Sequence, residues 1–415
     1  ILRDTEPELH LRSVTLTAKD KICLCETREC TPEACPYANG YYARIKGALW
    51  DVLDVPCLTA ETLQEYAKRH TVCPFELGLD SSLWSDVIIG DYNYLFDPVV
   101  HLVRFFESAG DYIFLVDEAH NLPGRAREMH SAALTKTSFY EAKKLLGKGK
   151  SSLKNALTKV NDVFIEWRHR AEEETAARDG RFGKTFFLKE RSEEFDHLLN
   201  RLCEPLEAWL DDHREPDETH TALLQLYFDV RAWLRVADTF DDHFVLQITA
   251  SGSEVRAAQL CLDPSAFLAD SFALGRAAVL FSATLAPASY YKDLCGVPEA
   301  RAVALRSPFP AGNQGLFCIG NVSTRYKDRD ASLAIVTESL ATMVRARCGN
   351  YLAFFPSYAY MEQAYAQFKE HCPEINCIKQ ENAMDEQQKA AFLAQFVPGP
   401  SQTLLGFAVM GGVFG

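Results

Sequence analysis

Apolar and polar positions divide the 415 residues into three textures. Residues 11–18 (LRSVTLTA) predict a strand, and the apolar runs 86–90 (DVIIG) and 112–116 (YIFLV) suit buried parallel strands. Between them, 59–70 (TAETLQEYAKRH) predicts a short helix with Thr59 as N-cap. Residues 20–40 hold Pro, Gly and Asn, show no period, and read as loop. From about 135 to 243 the spacing becomes helical. Leu153, Leu157, Val160, Phe164 and Trp167 form one stripe, and Phe195, Leu198, Leu202, Leu206 and Trp209 a second, with Pro205 placed to kink it. Leu223, Tyr227, Val230 and Trp233 form a third. Such stripes are the core of a helical domain. Strand signals return at 244–249 and 256–262 around a Ser/Gly turn, and again at 277–281 (AAVLF). After 301, helices near 332–347, 358–369 and 384–395 alternate with strands at 351–355, 375–379 and 403–409, which predicts a second parallel α/β sheet.

Composition changes this picture little. Hydrophobic residues at 47% and charged residues at 24% are ordinary for a globular chain, and the length suggests about three domains. A net charge of -14 argues against a protein that coats nucleic acid, and no run approaches the ~18 apolar residues of a membrane span. The opening ILRDTEPELH has no Met and no signal-like stretch, and the chain stops at VMGGVFG, so both ends read as cut. Six of the 13 cysteines precede residue 74: Cys23, Cys25, Cys30, Cys35, Cys57 and Cys73. Without a secretory signal, reduced thiols in the cytoplasm are expected, and an N-terminal cluster then points to metal or redox chemistry. Cys57, in an apolar VPCL setting, and scattered cysteines such as Cys203 and Cys318 read as packing.

The string IFLVDEAHNL sets Asp117 and Glu118 just past an apolar strand, where α/β sheets bind ligands. Asp117 would hold Mg²⁺ through water. Glu118 would orient and deprotonate the water that attacks a γ-phosphate, and His120 would sense that phosphate. A polar turn capping a helix is the bland alternative.

This string resembles the DEAH box, motif II of superfamily two helicases. VLFSATLAP (279–287) resembles motif III, with Ser282 and Thr284 in its core; YLAFFPSY (351–358) resembles motif IV; and LLGFAVMGGVFG (404–415) resembles the front of motif V, with Gly411 and Gly412 on the nucleotide side. DYNYLFDP (91–98) resembles a segment of one branch, the XPD/DinG family of iron–sulfur DNA helicases, and the order of elements fits its bacterial DinG-like members. The resemblance implies an α/β fold of two RecA-like parallel-sheet motor domains. The first, 1–134 and 244–300, carries an iron–sulfur insertion at 19–81 and an all-helical arch at 135–243; the second spans 301–415. It also implies ATP, Mg²⁺ and a [4Fe–4S] cluster, with Ser282 and Thr284 coupling ATP turnover to movement.

For the cluster, Cys30, Cys35 and Cys73 fit the family pattern, with Cys23 preferred over Cys25 as first ligand. Zn²⁺ could use the same thiolates. Lys19 and Lys21, in a place resembling motif Ib, are candidate phosphate contacts, and Asn93, Tyr94 and Tyr358 candidate contacts to the strand. A core role rivals the strand contact for both tyrosines. Lys143, Lys144, Lys148, Lys150, Lys154 and Lys159 form either a solvated face or a phosphate track. No G-x-x-x-x-G-K-[ST] loop occurs. The expectation is therefore an internal piece of a monomeric 5′→3′ ATP-dependent helicase acting on single-stranded and forked or branched DNA, inactive by itself. The alternatives are a non-catalytic, metal-stapled DNA-binding protein and the motor part of a DinG-like exonuclease.

Overall fold

The computed structural model describes residues 10–149, 151–177, 184–215, 217–320, 322–323 and 325–414, so Lys150 lies outside the described residues. The strands in chain order are β1 (Ser13–Thr15), β2 (Cys57–Leu58), β3 (Val87–Ile89), β4 (Ile113–Val116), β5 (Ala132–Thr135), β6 (Thr185–Leu188), β7 (Phe244–Ser251), β8 (Glu254–Cys261), β9 (Ala277–Leu280), β10 (Asn350–Phe355), β11 (Asn376–Lys379) and β12 (Leu404–Val409). The chain divides into one unit at Ile1–Val303 and a second at Ala304–Gly415. The fold is mixed α/β with parallel sheets, as the sequence pattern predicts.

In the first unit, β1 lies between β2 and β3, all parallel, and β4 pairs in parallel with β9. The runs at 86–90 and 112–116 are strands, but apart from Val116 they are not buried. Ile89, Ile113 and Leu115 are 52%, 64% and 68% exposed, because β3 and β4 belong to separate small sheets. An apolar run identifies a strand without saying what covers it. Beside the first sheet pack the helices Tyr41–Val52, Ala60–His70 and Pro74–Ser81, joining Val14, Ile22, Ala48, Leu63 and Leu77 in one core. Thr59 caps its helix as expected, its side chain accepting from the Thr62 amide.

The insertion departs from an all-helical arch. Its helices are Lys136–Leu145, Ser152–Ala177, Glu193–Asp212 and Glu218–Asp238, but they pack on an antiparallel sheet of order β5-β8-β7-β6. The alternation in FVLQITAS turns Phe244, Leu246, Ile248 and Ala250 into the core, where Leu246, Ile248 and Ala250 join Leu157, Phe164, Phe195 and Trp233 in one helical cluster. That core therefore runs past residue 243 into β8, and the hairpin turns through Gly252 at φ 62°, a left-handed conformation that costs glycine nothing.

In the second unit every element predicted after 330 is present. The order β10-β12-β11 is parallel, with fully buried β12 at its centre. Helices Arg329–Ala346 and Tyr358–His371 cover it with Ala341, Val344, Met361 and Phe368. Among the described residues no helix is long and apolar enough to cross a membrane.

Candidate active site

Parallel pairing of β4 with β9 sets Val116 opposite Leu280, so the segments that follow each strand run side by side. The Phe281 amide donates to the Val116 carbonyl at 3.0 Å and the Ala119 amide to the Phe281 carbonyl at 3.1 Å. Residues 117–120 and 281–284, some 160 positions apart in sequence, are thereby stitched together. Glu118 adopts φ 46° and ψ 39°, unusual for a residue with a Cβ, and its amide is tied to Asp117 Oδ1 at 2.7 Å.

The side chains form a network centred on Ser282. Its hydroxyl donates to Glu118 Oε2 at 3.2 Å, since an ionised carboxylate only accepts. With that proton committed, Ser282 Oγ accepts from His120 Nδ1 at 2.8 Å and from the Thr284 amide at 3.2 Å. His120 Nδ1 also lies 3.2 Å from Glu118 Oε2. The structure thus brings Glu118, His120, Ser282 and Thr284 into one cluster, with Asp117 exposed beside them. Tyr92, which the sequence reading passed over in favour of its neighbours, donates its hydroxyl to the carbonyls of Asp117 and of Glu118, the latter at 3.0 Å.

The other candidates are elsewhere. Tyr94 packs, half-buried, against the first sheet's core, and burial pushes its hydroxyl pKa up. Asn93 Oδ1 is buried without a hydrogen-bond partner. Lys19 pairs with Glu76 at 3.5 Å and lies over the Phe75 ring, while Lys21 on the same short helix is exposed. In the second unit, Tyr358 accepts from Gln380 Nε2 at 2.7 Å, and Gln380 Oε1 accepts from the Val409 amide at 3.0 Å. Gly411, at φ 71°, and Gly412 turn the chain beside that buried amide; a Cβ on Gly412 would stand 2.8 Å from Gln380 Nε2. Gln380 carried no signal in the sequence, since a glutamine at a strand end is unremarkable until its neighbours are known.

Among the described residues no three Cys, His, Asp or Glu side chains are gathered closely enough to hold a metal ion. The thiols nevertheless fit an iron–sulfur cluster in kind. Cys25 Sγ lies 3.8 Å from Cys35 Sγ, and burial and then the Cys35 thiol push Cys25 up to about 11. Lys19 is held above its ordinary value: burial alone would lower it, and Cys30, Glu76 and Cys73 outweigh that. The sequence pattern favours Cys23 as first ligand, yet Cys25 is the thiol in contact with Cys35. Cys203 is buried as expected, whereas Cys57 and Cys318 are exposed and do not serve as packing.

A carboxylate loop wired to a Ser-Ala-Thr loop across a parallel strand pair, followed by a second parallel α/β unit, defines the superfamily two helicase class. The family model DEAD_2 matches residues 8–139 and the model Helicase C-terminal domain matches 340–415, together about half of the chain. The helicase subunit XPD of general transcription and DNA repair factor IIH from Schizosaccharomyces pombe is 23% identical over 419 residues, covering 84% of this chain and 52% of that protein. The regulator of telomere elongation helicase 1 homolog from Anopheles gambiae is 28% identical over 139 residues, 30% of this chain and 14% of that one. A solved XPD helicase aligns with a TM-score of 0.47 at 16% identity, covering 100% of this chain and 70% of that structure. The chain belongs to the XPD/DinG-like helicase family. It spans about half the length of the XPD relative and a smaller part of the telomere-elongation relative.

Proposed function

We propose that this chain carries motor parts of an ATP-dependent DNA helicase that moves 5′→3′ along single-stranded DNA. The observation that carries the reading is the hydrogen-bonded cluster of Glu118, His120 and Ser282 at the carboxyl ends of β4 and β9. A carboxylate held by a neutral hydroxyl and an imidazole is oriented yet still able to take a proton from water. Glu118 is the proposed base, Asp117 the residue that would hold Mg²⁺, and Ser282 with Thr284 the link that passes the state of the base to the next strand. Mg²⁺ with ATP would supply charge neutralisation on the phosphates. His120 holds Glu118 at the same oxygen, Oε2, that Ser282 holds, and Gly411 and Gly412 would offer backbone to the nucleotide.

Cys30, Cys35, Cys73 and Cys23 are the proposed ligands of a [4Fe–4S] cluster, which would clip the loop to the helices around it. Lys21 and Asn93 are the proposed strand contacts, with Lys19 and Tyr358 as secondary ones. Polarity rests on family resemblance. No phosphate-cradling loop lies in the sequence, so turnover is proposed for the intact protein rather than for this chain alone. Glu118→Gln in the intact protein should keep ATP binding and lose turnover and unwinding on 5′-tailed duplexes; retained unwinding refutes the assignment.

A further inference from the structure

We infer that Tyr92 is a positioning residue for ATP hydrolysis: its hydroxyl holds the strained turn that aims Glu118 at the attacking water. The inference rests on the reading of Glu118 as the base. Glu118 sits at φ 46°, a left-handed conformation that a side-chain-bearing residue keeps only where its surroundings enforce it. Three contacts restrain the amides of this turn: Glu118 N to Asp117 Oδ1, Ala119 N to Phe281 O, and Asn121 N to Glu118 O at 2.9 Å. The carbonyls of Asp117 and Glu118 are bridged by the Tyr92 hydroxyl, which comes from a different segment. One donor across two successive carbonyls holds the two peptide planes that flank the Glu118 Cα, and with them the direction of the Glu118 Cα–Cβ bond.

The ring of Tyr92 is itself anchored. It meets Phe96 edge-on at 6.4 Å between centroids and packs on the cluster of Val116, Ala119 and Leu122. Burial, then the nearby Asp117 and Glu118 carboxylates, raise its pKa, so the hydroxyl stays a donor at neutral pH. Tyr92 also precedes Asn93, a proposed strand contact, so the hydroxyl ties the strand-facing segment directly to the base.

Tyr92→Phe deletes the hydroxyl and keeps the ring. In the intact protein we expect kcat for ATP to fall about five- to tenfold, the worth of one hydrogen bond, with KM for ATP unchanged. Amide exchange across residues 117–121 should rise in the same variant, whether or not turnover is measurable. Glu118→Gln, run in parallel, separates the two readings. If it abolishes turnover while Tyr92→Phe leaves kcat unchanged, Glu118 stands as base and the role of Tyr92 is overturned. If Glu118→Gln retains turnover, the base assignment itself fails, and unchanged exchange at 117–121 in Tyr92→Phe then overturns the positioning role as well. A rise in KM with unchanged kcat would mark Tyr92 as a binding residue and equally overturn the inference.

Discussion

Replacing Ser282 with Ala tests the centre of the active-site network. The hydroxyl makes close contacts with Glu118 Oε2 at 3.2 Å, His120 Nδ1 at 2.8 Å and the Thr284 amide at 3.2 Å. Not all of these are lost at full value. The Thr284 amide is at an exposed position, and water replaces its acceptor at small cost. Glu118 keeps His120 at 3.2 Å, and its side chain is 60% exposed, so the bond to Ser282 is partly screened. A hydrogen bond to a charged group is worth about 1.5–3 kcal/mol when dry, and about 0.5–1 kcal/mol after that discount. Ser282→Ala should therefore lower kcat about two- to fivefold in the intact protein. His120→Ala alone should cost a similar amount, because Ser282 still holds the carboxylate. The double variant should cost more than the product of the two, since both supports of Glu118 are then gone. Steady-state ATP turnover with and without single-stranded DNA measures all three. Strict multiplicativity, or loss beyond a hundredfold in Ser282→Ala alone, would show that Ser282 does not act by sharing the support of Glu118.

Other outcomes follow from the surrounding structure. Asp196 is 6% exposed, accepts from Trp233 Nε1 at 2.8 Å, and has its pKa raised above 3.8, chiefly by burial. A raised folded value means the stability it contributes is full at pH below 3.8 and is lost as pH rises through the folded value. Asp196→Asn should flatten that acid-side dependence, whereas Asp196→Ala should cost about 1–3 kcal/mol by orphaning the indole N–H, both read by thermal unfolding against pH. Gln380→Leu leaves the buried Val409 amide without its acceptor and should destabilise the second unit by about 1–3 kcal/mol, and Gln380→Glu should not rescue it at neutral pH, because it keeps the acceptor but buries a carboxylate. In the anaerobically purified intact protein, Cys23→Ser, Cys35→Ser and Cys73→Ser should abolish iron content and visible absorbance while exposed Cys57→Ser leaves both unchanged; loss on Cys25→Ser but not on Cys23→Ser would move the first ligand to Cys25, which touches Cys35, and one zinc and no iron would refute the cluster.

The sequence by itself determined the elements after 330, the long helical stripes and the motif residues. Alternating strands and helices after 330 appear where their periods place them, because a buried central strand such as β12 must be apolar throughout and its covering helices must repeat near 3.6. The helical stripes through Phe164, Phe195 and Trp233 are legible for the same reason, and the DEAH string marks its own position. Local pattern does not encode which distant segment lies alongside. Only tertiary structure decided that β7 and β8 complete a sheet with β5 and β6, because the alternation 244–251 shows one face to be buried without saying against what. Only the register Val116 to Leu280 brings Ser282 within reach of Glu118. Tyr92 and Gln380 became visible the same way: a hydroxyl or an amide acquires its role from the groups it meets, and those meetings, across 26 and 29 positions of chain, are set by core packing for Tyr92 and by the pairing of β11 with β12 for Gln380 rather than by neighbours in sequence.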